Sequence, residues 1–212
     1  MRPPIDPRLY LVTDRELAGG RDLLDVVLAA VRGGVTLVQL REKAAPTRDF
    51  VALARELKAR LEVPLIVNDR VDVALAAGAD GVHVGQSDMP YADARELMGP
   101  DAVIGVSVES LADAEAAEPL DADYLGLSPV HATPTKTDVA TQLGLDGVRA
   151  IRARSRHRLI GIGGLNADNA GEVIRAGADG IAVVSAIVAA PDPEGAAREL
   201  RAAIDAALEE RP

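Results

Sequence analysis

The sequence predicts an α/β fold, a single (β/α)8 TIM barrel, on three observations. Short apolar runs bounded by turn residues alternate eight times with amphipathic helical stretches, and such alternation belongs to a parallel sheet. Eight units in one domain suggest a closed barrel with its helices outside. The third observation is an internal repeat: Ala76-Ala77-Gly78-Ala79-Asp80-Gly81-Val82 resembles Arg175-Ala176-Gly177-Ala178-Asp179-Gly180-Ile181, about half the chain further on. A weaker echo, Arg32-Gly33-Gly34-Val35-Thr36-Leu37, leads into the second strand, so a barrel of quasi-equivalent quarters is expected. The rival architecture, an open doubly wound sheet, would place G-x-G-x-x-G after the first strand. The nearest match, Gly161 to Asn166, comes late and lacks the final glycine.

Residues 1–7 read as a loose arm, and 8–14 hold the first strand, LYLVT flanked by charges. Residues 22–32 are helical, with Leu23, Val26, Val27, Ala30 and Val31 on one face. Thr36 to Leu40 is the second strand. Thr47 is placed to cap a helix that runs to Leu61. Pro64 to Val67 is a third strand, Arg70 to Ala77 a helix closed by Gly78, and Gly81 to Val84 a fourth strand. Tyr91 to Met98 is helical and Val103 to Val108 is strand five. Ser110 can cap a helix from Leu111 to Ala117. Strand six lies within 123–130, a helix spans 145–155, and strand seven is Leu159 to Ile162. Residues 168–176 are helical, Gly180 to Val184 is strand eight, and the last helix runs from about Pro193 to Leu208, before a tail at 209–212.

A chain of 212 residues, 48% apolar, suits one sizeable domain spanning 1–212. It has no cysteine, which excludes disulfides and thiol chemistry. The start, MRPPIDPRLYLVTD, has no apolar signal core, and the longest uncharged apolar stretch, Gly180 to Pro191, is too short to span a bilayer. A soluble cytoplasmic protein is expected. The net charge of −10 argues against nucleic acid and anionic membrane surfaces. Three tyrosines and one phenylalanine leave little for base stacking. Small-molecule substrates are the expected partners, with homo-oligomerisation left open. Of 23 basic residues only Lys43, Lys58 and Lys136 are lysine. Lys58 reads as a solvated charge on its helix, and His157 as solvated within an Arg-rich run.

Sites in such barrels form at the carboxyl ends of the strands. There the chain offers Gln39, Arg41 and Lys43; Asn68 and Asp69; Gln86 and Asp88; Ser107; His131, Thr133, Thr135 and Lys136; Gly163 and Gly164; and Ser185. No nucleophile–base pair stands out. Cations, hydroxyls, glycines and two carboxylates suit the holding of phosphates. Asp69 and Asp88 follow adjacent parallel strands, so a right-handed crossover puts both on one side of the sheet. Each alone could cap a helix; together they favour a shared Mg²⁺, which takes one or two carboxylates plus phosphate oxygens. Glycines 163 and 164, with the loop at Ser185, suit a second phosphate site, since loops after strands seven and eight often bind phosphate. The segment 131–143 is long for a connecting loop and reads as a lid. His83, inside an apolar strand, reads as structural.

Taken in order, Gln39-Leu40-Arg41-Glu42-Lys43, Asn68-Asp69, Gly81-Val82-His83-Val84-Gly85-Gln86-Ser87-Asp88, Thr133-Pro134-Thr135-Lys136, Gly163-Gly164 and Val184-Ser185-Ala186-Ile187 resemble the thiamine-phosphate synthase family, over nearly the whole chain. The resemblance implies a barrel that joins 4-amino-5-hydroxymethyl-2-methylpyrimidine diphosphate to 4-methyl-5-(2-hydroxyethyl)thiazole phosphate, or to its carboxylated form with loss of CO2. The products are thiamine monophosphate and diphosphate. It implies Mg²⁺ on Asp69 and Asp88. Gln39, Arg41, Lys43, Asn68, Ser107 and Lys136 would hold the pyrimidine diphosphate, with Arg41, Lys43 and Lys136 in the catalytic role. Thr133, Thr135, Gly164, Val184 and Ser185 would hold the thiazole phosphate. His131 stands where many members carry an aromatic and Ser128 where glycine is frequent; neither change removes a phosphate or metal group. The rival readings are a thiazole tautomerase-type paralogue and a non-catalytic regulator that binds the thiazole phosphate.

Overall fold

The computed structural model describes residues 2–132 and 142–211. Eight strands, β1 (Leu9–Val12), β2 (Leu37–Leu40), β3 (Leu65–Asn68), β4 (Gly81–Val84), β5 (Val103–Val108), β6 (Tyr124–Leu127), β7 (Leu159–Ile162) and β8 (Gly180–Val183), close into a barrel in sequence order. Every pair is parallel, including β1 with β8. The long helices alternate with the strands: α1 (Leu23–Arg32), α2 (Thr47–Arg60), α3 (Val71–Ala77), α4 (Tyr91–Met98), α5 (Leu111–Ala117), α6 (Gly144–Arg152), α7 (Ala170–Arg175) and α9 (Pro193–Glu209). A single extra turn, α8 (Ser185–Val188), follows β8. No described helix is long and apolar enough to cross a membrane.

Two layers of core follow from the strand period of two. Outward residues such as Leu9, Leu11, Val38, Leu65 and Leu125 pack under the helices. Inward ones, among them Tyr10, Leu37, Ile66, Val103, Tyr124 and Ile160, fill the barrel as a separate cluster. The register keeps the inward set together: Tyr10 lies beside Leu37 and Ala182, Gln39 beside Ile66, and Gly105 beside both His83 and Tyr124.

The expected quarters are present, and each is stitched by the same bond. One polar residue before each even-numbered strand bonds the first or second residue of the strand before it. Asp80 Oδ2 accepts from Leu65 N at 2.8 Å, and Asp80 N donates to Leu65 O at 2.9 Å. Asp123 does the same with Ile104, and Asp179 with Leu159. Thr36 does so with Leu9 through its hydroxyl. Each aspartate also holds a cation: Lys58 on Asp80, Arg95 on Asp123, Arg152 on Asp179. The sequence repeat therefore records a structural device.

Several local expectations change. Lys58 is bound to Asp80 at 2.7 Å rather than simply solvated. His157 is buried: its ring nitrogens lie 3.1 and 3.2 Å from the carbonyl oxygens of Ala122 and Ala117, tying the end of α5 to the approach to β6. Thr47 is the first residue of α2, not its cap, which is Pro46. Nor is the N-terminal arm loose. Ile5 is buried with the barrel-interior cluster, and Arg2 bonds Pro100 O at 2.7 Å and the carboxylate of Asp121.

Candidate active site

A cavity of about 860 Å³ opens at the carboxyl ends of the strands, within the range of small-molecule sites. It gathers most of the residues singled out from the sequence. Gln39 and Arg41 come from β2 and its loop, Asn68 from the end of β3 and Asp69 from the residue after it, Asp88 from the loop after β4, and Ser107 from β5. Gly164, Val184 and Ser185 line its other side. Lys43 is exposed on the loop after β2 and is not in the lining. Thr133, Thr135 and Lys136, with most of the expected lid, lie outside the described residues.

Asp69 and Asp88 face each other within hydrogen-bond reach. Burial, together with the neighbouring Asp88 carboxylate, pushes the Asp69 carboxyl up to about 6. Arg41 pulls the other way, which places its guanidinium in the field of this pair. Asp69 also occupies the left-handed region, φ 61°, rare outside glycine and tolerated best by Asp and Asn. Neither carboxylate caps the helix after it. The caps of α3 and α4 are Arg70 and Pro90, without a side-chain bond in either case. Asp88 Oδ2 instead accepts from Gly85 N at 2.8 Å, which fixes one oxygen of that carboxylate.

This donor set fits Mg²⁺. Two carboxylates crowded together at a partly buried position need a cation to be comfortable when both are ionised. No group of three or more His, Cys, Asp and Glu able to hold a metal occurs among the described residues. Two protein carboxylates, with substrate oxygens and water completing the shell, is a usual Mg²⁺ arrangement. Arg41 stands beside it with its Nη1 3.6 Å from Asp14 Oδ2, and its backbone N donates to Thr13 Oγ1 at 3.0 Å.

Across the cavity, Gly163 and Gly164 have φ of 106° and 63°. A Cβ on Gly164 would fall 2.6 Å from Ala132 O, so the turn has neither the conformation nor the room for a side chain. Asn169 Nδ2 holds Gly164 O at 2.9 Å. Beside this turn, α8 begins at Ser185 with its first residues in the cavity wall. A glycine turn after β7 and a short helix after β8 are the recurring phosphate-binding parts of this fold.

Three residues not assigned to the site from sequence form its floor: Tyr10, His83 and Tyr124. His83, read as structural, sits between Tyr124 and Ser107. The available signal was the alternation, since all three fall on inward positions of their strands.

A family model described as thiamine monophosphate synthase matches residues 9–187. A thiamine-phosphate synthase of Albidiferax ferrireducens is 58% identical over 202 residues, which cover 94% of this chain and 92% of that protein. One from Chloroflexus aurantiacus is 55% identical over 208 residues, covering 97% and 96%. Among solved structures, a thiamine phosphate pyrophosphorylase from Pyrococcus furiosus superposes with a TM-score of 0.87 at 42% identity, covering 96% of this chain and 98% of that one.

Proposed function

The chain belongs to the thiamine-phosphate synthase family of transferases, and we propose that its cavity joins 4-amino-5-hydroxymethyl-2-methylpyrimidine diphosphate to 4-methyl-5-(2-hydroxyethyl)thiazole phosphate, or to the carboxylated thiazole with loss of CO2. Thiamine monophosphate and diphosphate leave. The observation that carries this reading is the pairing, in one cavity, of the Asp69–Asp88 carboxylates with the glycine turn at 163–164. One end suits a metal-bound diphosphate and the other a second phosphate.

The reaction fits a site without a nucleophile–base pair. The C–O bond to the diphosphate breaks, its electron pair leaves with the diphosphate, and the thiazole nitrogen supplies the pair for the new C–N bond. Asp69 and Asp88 would hold Mg²⁺, which supplies positive charge to the leaving diphosphate oxygens when bound. Arg41, beside the carboxylates, takes up part of the charge that develops. Lys43 and Lys136 are assigned the same task from their place in the sequence. Asn68 orients Asp69, to which its side chain hydrogen-bonds. Gln39 and Ser107 hold the pyrimidine. Gly164, Val184 and Ser185 hold the thiazole phosphate with Thr133 and Thr135. Holding both rings in line and excluding water accounts for the rest of the rate. The setting proposed for this chemistry is the cytoplasm.

The test is diphosphate release by the purified protein with Mg²⁺ and both heterocycles, with each omitted in turn and with an Asp88→Ala control. Metal-dependent release, with thiamine monophosphate formed in step, is expected. Thiazole phosphate binding without product would instead favour a tautomerase-type activity or a regulator. Within the same assay, Lys136→Ala is expected to lower kcat by roughly 10²–10³-fold, the usual cost of removing one preorganised charge donor. A change confined to KM would show that Lys136 binds substrate without acting on the chemical step.

A further inference from the structure

Beneath the cavity a chain of hydrogen bonds crosses the barrel from β2 to β5. Gln39 Nε2 donates to Tyr10 Oη at 2.8 Å, and Tyr10 Oη lies 2.8 Å from Tyr124 Oη. Tyr124 Oη lies 3.1 Å from His83 Nδ1, and His83 Nε2 lies 2.9 Å from Ser107 Oγ. The two tyrosines are fully buried, and only the two ends, Gln39 and Ser107, carry groups assigned to a ligand. Among the described residues no buried side-chain polar atom lacks a partner.

Such a chain has a direction. A hydroxyl has one hydrogen to give. Because Gln39 donates to Tyr10, the hydrogen of Tyr10 goes to Tyr124, and that of Tyr124 goes to His83 Nδ1. With Nδ1 accepting from Tyr124, the hydrogen of the imidazole stands on Nε2, which donates to Ser107 Oγ. The bonds of this chain leave Gln39 Oε1 unused as an acceptor at one end and the hydrogen of the Ser107 hydroxyl unused as a donor at the other. Burial pushes both phenols well above their ordinary range, so neither loses its hydrogen at working pH.

The packing holds the chain in place. The Tyr10 and Tyr124 rings meet edge to face, with centroids 5.6 Å apart, and His83 stacks on Tyr124 at 5.5 Å. The neighbouring strand positions are glycine where these rings lie. A Cβ at Gly105 would fall 2.0 Å from Tyr124 Cζ, and one at Gly126 3.0 Å from His83 Cε1.

We propose that Tyr10, Tyr124 and His83 are positioning residues whose one-way hydrogen-bond chain holds Gln39 as an acceptor and Ser107 as a donor toward the cavity. The site thereby selects a ring that offers an N–H to Gln39 and an acceptor to Ser107. This rests on the reading that Gln39 and Ser107 hold the aminopyrimidine. A ring in which an oxo group and a ring N–H replace the amino group and ring nitrogen has its donors and acceptors exchanged: its oxo oxygen meets Gln39 Oε1, acceptor against acceptor, while the Ser107 hydroxyl can turn to accept the ring N–H.

The test uses equilibrium binding to the full chain, so it does not depend on turnover. The dissociation constants of the aminopyrimidine diphosphate and of its oxo analogue are measured by calorimetry with Mg²⁺, for wild type, Tyr10→Phe and Tyr124→Phe. Each variant removes a different hydroxyl, and with it two bonds of the chain, and keeps a ring in place. Wild type is expected to prefer the amino ring by at least about 30-fold, and each variant to lose roughly tenfold of that preference, the scale of one mispaired buried hydrogen bond. Binding of the thiazole phosphate, measured alongside, should change less than about twofold; a general loosening of the barrel would weaken it as well. If one variant does not fold, the other still decides. An unchanged preference in a folded variant, or equal losses for all three ligands, overturns the inference and leaves the synthase reading standing. A wild type that binds neither pyrimidine overturns both, and the diphosphate-release assay reports the synthase reading separately.

Discussion

Asp69→Asn is expected to lower kcat/KM by about 10³-fold or more, since a metal's charge stabilisation is worth several kcal/mol at the transition state, and yet to raise the melting temperature of the metal-free protein near neutral pH. Both effects come from one arrangement. The Asp69 carboxyl is pushed up to about 6 by burial and by Asp88, whereas in an unfolded chain it titrates near 4. The folded state thus holds this proton more tightly than the unfolded chain. That contribution to stability is complete below about pH 4 and is lost as the pH rises through about 6. At pH 7 without metal the wild type carries two carboxylates in conflict, and the asparagine variant carries one. Asparagine is also the replacement best able to keep the left-handed φ of 61°, so the comparison isolates charge from backbone strain. Thermal melts from pH 4 to 8 should show the variant's advantage growing across pH 4 to 6. Added Mg²⁺ should then raise the wild type alone, because a ligand that binds only the folded state stabilises it. Equal melting at every pH, or equal response to Mg²⁺, would remove the metal role of this pair.

The parts of this protein legible in its sequence are those carried by local pattern. Strands such as Gly81–Val84, Val103–Val108 and Leu159–Ile162 are short apolar runs between turn residues, and their ends fall where expected. The helix Leu111–Ala117 follows its Ser110 cap, with Ser110 Oγ accepting from Asp113 N at 3.1 Å. Candidate site residues at strand ends could be gathered because the barrel brings all strand ends to one face. What failed to show depended on partners distant in sequence. Lys58 looks solvated until Asp80 is placed beside it, and His157 until two backbone carbonyls close over it. The turn Ser185–Val188 is too short to carry a helical period and reads as the loop after strand eight. The floor of the cavity was hidden for the same reason. Tyr10 and Tyr124 come from β1 and β6, and only closure of the barrel puts their hydroxyls 2.8 Å apart.

The repeat that announced the barrel makes the second large prediction. Asp80→Ala and Asp179→Ala should each cost about 2 kcal/mol, the scale for a hydrogen bond to a charged group. Each removes an acceptor that closes the start of an odd-numbered strand, at Leu65 N in one case and Leu159 N in the other. The two stitches lie in different quarters of the barrel and share no partner, so their effects should add. The double variant then loses about 4 kcal/mol out of a native stability of roughly 5–15 kcal/mol, and its melting temperature should fall by about 8–16 °C for a domain of this size. Asp80→Asn separates the two jobs of that side chain. Its amide oxygen can still accept from Leu65 N, while the ion pair with Lys58, whose side chain is 36% exposed, is lost. Partly exposed pairs are worth little, so this variant should cost less than about 1 kcal/mol. Denaturant melts of the four variants decide the matter. If asparagine costs as much as alanine, the ion pair rather than the strand stitch holds the quarter together. If the double variant loses no more than either single, the quarters are not independent units, and the repeat reflects one cooperative closure.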